Sequence, residues 1–196
     1  MKILIATNNP GKFKEIATII KSWGLKPVSL KDLNITDDVE ETGKTFEENA
    51  LIKSMFFCQK TNLPTIADDS GIEIDALDGA PGIKSRRWKG YRMTDQEMVD
   101  YTLETLKKVP SKKRTCRIVS VLSLILPDMQ EFTVRASIDG IITKKQMLPI
   151  EDGYPFRAIF LVPEFDKMLG DLTTKENQQI NHRIKALNKL KCHLCK

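Results

Sequence analysis

Residues 2–12 read Lys2-Ile3-Leu4-Ile5-Ala6-Thr7-Asn8-Asn9-Pro10-Gly11-Lys12, and the fold class turns on the change of character at Thr7. Lys2 to Ala6 is a short apolar run, the pattern of a buried strand. The chain then becomes polar, and from Phe13 onward apolar residues recur at helical spacing: Phe13, Ile16, Ile19, Ile20 and Trp23. Asn9 is a good capping acceptor, Pro10 suits a first helical position, and Gly24 stops the helix. The opening unit is therefore strand, loop, helix.

The rest of the chain extends that alternation. A second helix is expected from Thr45 to Lys60 and a strand from Leu63 to Ala67, the latter ending on a turn at Asp68-Asp69-Ser70-Gly71. Ile72 and Ile74 alternate with acids, as in a half-exposed strand. Thr94 with Glu97 forms a capping box for a helix carrying Met98, Tyr101 and Leu106. Arg117–Leu126 and Phe132–Ile138 read as long strands that pair antiparallel. After Ala158–Val162, Thr173 and Glu176 cap one last helix with Ile180, Ile184, Leu187 and Leu190 inward. The sum is a mixed α/β protein.

Composition narrows the class. The 196 residues, 41% apolar and 29% charged, show no repeat or linker, so one domain over 1–196 is expected, and disorder and collagen are excluded. The longest apolar run, Val121 to Leu126, is interrupted by Ser123 and is far short of a membrane helix. The apolar start is too short for a secretory signal, which points to the cytoplasm. The excess of 31 Lys and Arg over 26 Asp and Glu, +5, is spread along the chain. Its short clusters, Lys112-Lys113-Arg114 and Lys144-Lys145, read as solvated, and they suit an anionic small molecule as well as nucleic acid. The cysteines, 58, 116, 192 and 195, read as reduced thiols. Cys192-His193-Leu194-Cys195 has metal-like spacing but no second pair to complete four ligands.

Three segments carry possible chemistry. The loop Thr7–Lys12 leads into a helix N-terminus, where amides, dipole and Lys12 favour an anion, though a plain turn has the same composition. Asp68 and Asp69, with Glu40-Glu41 ahead of a helix carrying Lys53, bring acids that a hard divalent cation wants; the alternative is a turn and a helix-flanking acidic pair. Asn181-His182-Arg183 flanks an apolar helical stripe, able to reach a base or phosphate or simply to face solvent.

In order and spacing, Thr7–Lys12, Glu40-Glu41-Thr42-Gly43 with Thr45–Ala50, Ala67–Ile72 and Gly79–Ile83 resemble the inosine triphosphate pyrophosphatases. The resemblance implies a two-lobed α/β fold, with a long twisted mixed β-sheet flanked by helices, a central substrate cleft and a homodimer. It also implies hydrolysis of deaminated purine triphosphates (ITP, dITP, XTP) to monophosphate and pyrophosphate, cleansing the nucleotide pool. Carried over, Thr7, Asn8, Asn9, Gly11 and Lys12 bind the triphosphate, Lys53 neutralises it, and Glu41, Asp68 and Asp69 hold Mg2+, with Asp69 as general base. Ser70 and Arg87 assist binding, and His182 and Arg183 contact the base.

Among the departures from the family pattern, two change charged positions. Its base-recognition segment, Gly-Phe-Gly, Tyr or Trp, Asp-Pro, is here Gly153-Tyr154-Pro155-Phe156-Arg157-Ala158, and its lysine ahead of His-Arg is here Asn177. A carboxylate only accepts hydrogen bonds and an arginine only donates them, so Arg157 with Asn177 points to a shifted or relaxed base preference, while Phe156 can still stack. A nucleotide-binding regulator without turnover is the alternative from another class. A nucleic-acid-binding module, resting on charge alone, lacks a recognisable motif.

Overall fold

The computed structural model describes residues 1–194, so Cys195 of the metal-like pair lies outside the described residues. The elements are β1 (Lys2–Ala6), α1 (Pro10–Ser22), β2 (Lys26–Ser29), α2 (Phe46–Thr61), β3 (Thr65–Ile74), β4 (Pro81–Gly82), α3 (Asp95–Thr105), β5 (Thr115–Ile125), β6 (Glu131–Ile142), β7 (Phe160–Val162), β8 (Lys167–Met168), α4 (Thr174–Ile180) and α5 (His182–Leu194). The strands form one mixed sheet ordered β2-β1-β3-β5-β6-β7-β8, with β4 also on β3. β1 runs parallel to β2 and β3, Leu4 lying opposite Val28 and Thr65; β3–β4, β6–β7 and β7–β8 are antiparallel. Residues 126–130 join β5 to its neighbour β6, a link too short for a parallel crossover, so that pair is antiparallel as expected.

Two compact units share the chain: Met1–Ser70, Ser120–Ala136 and the segment from His182, and Gly71–Val119 with Ser137–Asn181. In the first, β1 is apolar at successive positions because both its faces are covered. Ile3 and Ile5 join Ile66, Ile16, Ile20, Leu187 and Leu190, whereas Leu4 and Ala6 join Ala67, Leu30 and Phe57. Each fully buried Ile or Leu contributes roughly 1.5–3 kcal/mol. The second unit has its own core around Ile72, Ile74, Val99, Leu106, Ile138 and Phe160.

Three expectations are corrected. First, there is no turn at Asp68-Asp69-Ser70-Gly71: β3 continues through it, pairing Ala67 with Ala6 and Ile72 with Gly82. Second, the last helix is two. Asn181 has φ −54° and ψ 113°, an extended cap whose N–H closes α4 on the Asn177 carbonyl at 2.8 Å, and α5 restarts at His182. Third, Arg114 is no solvated lysine-cluster neighbour. It is buried, donating from Nε to the Val109 carbonyl (3.0 Å), from Nη1 to Thr143 (2.7 Å) and from Nη2 to Leu106 (2.6 Å). These bonds fasten the end of α3 to the start of β5 and the residue after β6, because a planar guanidinium can serve several carbonyls at once.

Arg114→Met keeps the stem but removes those donors, and is expected to lower unfolding stability by about 2–4 kcal/mol. Urea denaturation measures it; an unchanged midpoint contradicts the role.

Candidate active site

The first-unit site starts at the α1 N-terminus. Asn9 is the N-cap: its Oδ1 accepts from the amides of Gly11 (2.9 Å) and Lys12 (3.1 Å), and its own N–H donates to Thr7 Oγ1 (3.2 Å). This corrects the expectation that Gly11 and Lys12 offer backbone amides to a phosphate, since the cap already takes those two donors. What the loop presents is the exposed Asn8 and the side chain of Lys12.

Asp68 and Asp69 are consecutive residues of a strand, so their side chains leave on opposite faces. Asp68 shares the Ile66 face with α1 and α5, and Asp69 shares the Ala67 face with α2. Each acid therefore meets a different set of cations. Asp68 Oδ1 accepts from Lys12 Nζ at 2.5 Å; Oδ2 accepts from Ser120 Oγ at 2.5 Å and Arg183 Nε at 2.9 Å. Arg183 reaches back to Glu15 through Nη1. On the other face Lys53 Nζ donates to Glu41 Oε1 (2.9 Å) and the Asp68 carbonyl (2.8 Å), and stands 3.6 Å from Asp69 Oδ1. Glu41, Lys53 and Asp69 thus converge as the sequence suggested.

The electrostatics differ accordingly. Burial alone would raise Asp68, but Arg183 and Lys12 hold its carboxyl well below the usual range. Burial pushes Asp69 up, and together with the repulsion of Glu41 and Asp68 it outweighs the opposing pull of Lys53 and Lys12. Burial lowers Lys12 against the pull of Asp68; for Lys53 the carboxylates Asp69 and Glu41 outweigh burial and raise it. Asp69 Oδ1 accepts the Ser70 amide at 3.1 Å, whereas Oδ2 is buried with no hydrogen-bond partner. A buried carboxylate oxygen without a donor is able to receive a proton or a cation.

The three-carboxylate Mg2+ cage is corrected by the same geometry. Asp68 has both oxygens committed to Lys12, Arg183 and Ser120, and among the described residues no three His, Cys, Asp or Glu side chains group to hold a metal. Glu41 and Asp69 do fit a hard cation that keeps waters and takes phosphate oxygens, as Mg2+ commonly does with one or two carboxylates. Arg183 was expected at the base; it is buried between Asp68 and Glu15. His182, buried, opens α5 beside it.

The remaining expected residues belong to the second unit, apart from Ser70, which is half-buried in β3. Arg87 is exposed on the loop after β4. Phe156, expected to stack on a base, is buried in the second core with Ile159 and Phe160. Arg157 Nη1 donates to Glu151 Oε2 at 2.7 Å, and its guanidinium lies 4.0 Å from the centre of the Tyr154 ring. Asn177 is half-buried in α4. Sequence reasoning missed Glu15, Asn49 and Ser120, none of which belongs to an acidic or basic cluster; Glu15, three residues after Lys12 on α1, was readable from helical spacing alone.

A family model described as the Ham1 family matches residues 3–193. A protein of Shigella flexneri called dITP/XTP pyrophosphatase is 41% identical over 191 residues, 96% of this chain and 95% of that one. One of Bacillus subtilis with the same name is 38% identical over 187 residues, 95% and 93% of the two chains. The solved Staphylococcus aureus Ham1 protein superposes with a TM-score of 0.84 at 36% identity, covering 99% of this chain and 98% of that one.

The two neighbouring acids should respond oppositely to neutral isosteres. Asp68→Asn leaves Lys12 and Arg183 buried beside a neutral group and is expected to cost about 3–5 kcal/mol of stability. Asp69→Asn removes a charge that burial disfavours and should leave stability unchanged or raised. Thermal unfolding of both variants at pH 7 checks the contrast; equal losses contradict it.

Proposed function

The chain belongs to the Ham1 family, and on that premise we propose that it hydrolyses deaminated purine nucleoside triphosphates, dITP, ITP and XTP, to monophosphate and pyrophosphate. The observation that carries the reading is Asp69 Oδ2, an unpartnered carboxylate oxygen beside Lys53 and Glu41. The proton of the attacking water passes to the Asp69 carboxylate, whose raised pKa suits it to a base. The water oxygen bonds to the α-phosphorus, and the bond from that phosphorus to the bridging oxygen breaks, releasing pyrophosphate.

Lys12 is paired with Asp68, keeps 20% of its side chain exposed, and supplies positive charge to the phosphate tail. Lys53 already donates to two oxygens and stands beside a third, so it holds Glu41 and Asp69 in position as much as it neutralises substrate. Asp68, Arg183, Glu15 and Ser120 keep Lys12 in place. Four carboxylates here face three cations, so a polyanionic tail needs further positive charge. A divalent cation, Mg2+ in this reading, would be held by Glu41 and Asp69 and, when bound, would neutralise phosphate oxygens and ease deprotonation of water. A homodimer and a cytoplasmic location belong to the same reading, and among the described residues no helix is long and apolar enough to cross a membrane.

Base choice is read from two substituted positions. Arg157, held by Glu151 and Tyr154, and Asn177 replace an acid and a lysine of the family pattern, so donation to keto oxygens or N7 takes the place of acceptance from N1. We expect dITP and XTP to be accepted with weakened discrimination against GTP.

Steady-state pyrophosphate release with Mg2+ across dITP, XTP, GTP and ATP tests both parts. Turnover should be present, and Asp69→Asn should lower kcat by about 10²–10⁴-fold. A variant keeping a tenth of wild-type kcat rules out Asp69 as base; no turnover of any nucleotide supports a binding protein instead, and exclusive use of dITP and XTP rules out the shifted preference.

A further inference from the structure

We infer that Asn49 is a positioning residue that sets the affinity of the Glu41–Asp69 pair for a divalent cation, acting through the backbone of the Glu41 loop; this rests on the proposed role of that pair. Glu41 lies in a stretch without helix or strand, residues 34–45, and an irregular loop cannot hold a carboxylate still unless its backbone is tied down. Three ties come from the first turn of α2. Asn49, 3% exposed, accepts the Gly43 amide on Oδ1 at 2.8 Å. Glu48 Oε2 accepts the Lys44 amide at 2.5 Å, and Thr45 Oγ1 caps the helix by accepting the Glu48 amide at 3.1 Å.

Asn49 is the buried member of this set, and its bond lies nearest to Glu41. Gly43 has no room for a side chain: an added Cβ would stand 2.6 Å from Asn49 Oδ1, 2.7 Å from Glu48 Cβ and 2.9 Å from the Asn49 amide nitrogen. Loop and helix are therefore fitted to each other at this point. The same helix carries Lys53, one turn beyond Asn49, whose ammonium takes the Glu41 carboxylate. Asn49 fixes the Glu41 backbone and Lys53 fixes the Glu41 carboxylate, both from one rigid element. Groups that orient a ligand without touching the metal characteristically govern metal affinity.

Two measurements on the full-length protein test this: Mn2+ binding followed by its EPR signal, and dITP hydrolysis titrated with Mn2+. Asn49→Ala should weaken Mn2+ binding by about 10–100-fold and raise the half-activating concentration in parallel, with activity recovering as Mn2+ is increased. Gly43→Ala, which leaves Asn49 in place and pushes the loop away, should shift both in the same direction, and it carries the test if Asn49→Ala does not fold. Unchanged Mn2+ affinity in a folded variant, or a loss of kcat that added Mn2+ does not recover, overturns the inference. If the wild type hydrolyses dITP but binds no Mn2+, the reading of Glu41 and Asp69 as cation ligands falls, and this inference with it. Glu47→Gln, which alters the exposed ion pair with Arg135 on the same helical turn, should leave both readouts at the wild-type value.

Discussion

The pleat of β3 at Asp68-Asp69 is the constraint on which the site depends. Consecutive strand residues cannot share a face, so one acid is delivered to α1 and α5 and the other to α2. Burying two adjacent carboxylates in a strand is costly unless each finds a counter-charge, and the helices on the two sides supply Lys12 with Arg183, and Lys53. Their positions on three different helices explain why the ionic groups and the packing of the first unit are inseparable.

The two faces then do different work with the same residue type. Asp68, saturated by two cations and a hydroxyl, stays ionised and acts as an anchor. Asp69, buried with one oxygen unpartnered, is held in an environment that disfavours its charge. A group stabilised as an anion makes a poor base, whereas one destabilised as an anion gains by accepting a proton or a cation. The division of labour follows from which helix stands over which face, and no special chemistry of either aspartate is required.

Much of this architecture was legible in the sequence, because β1, α1, α2 and the capping box at Thr94 and Glu97 carry strong local signals. The convergence of Glu41, Lys53 and Asp69 was also anticipated. The strand through Asp68–Gly71 was not: Asp, Asp, Ser and Gly are turn formers by local preference, and tertiary context, strand pairing with β1 and β4 and the charges of Lys12, Lys53 and Arg183, overrides it. The break at Asn181 was hidden because the apolar spacing from Ile180 to Leu190 is continuous with one helix. Arg114 reads as a solvated charge and Arg183 as a base or phosphate contact or a surface residue; the burial of both depends on carbonyls and carboxylates from distant segments, which spacing cannot reveal.

The central claim is that the strand separates an anchoring acid from a reactive one, and an anomalous difference map from crystals soaked in Mn2+ tests it most directly. The account predicts a peak within coordinating distance of Asp69 and Glu41, about 2–2.6 Å, with Asp68 still bonded to Lys12 and Arg183. A Mn2+ ion bound to Asp68, alone or bridging it to Asp69, would contradict it.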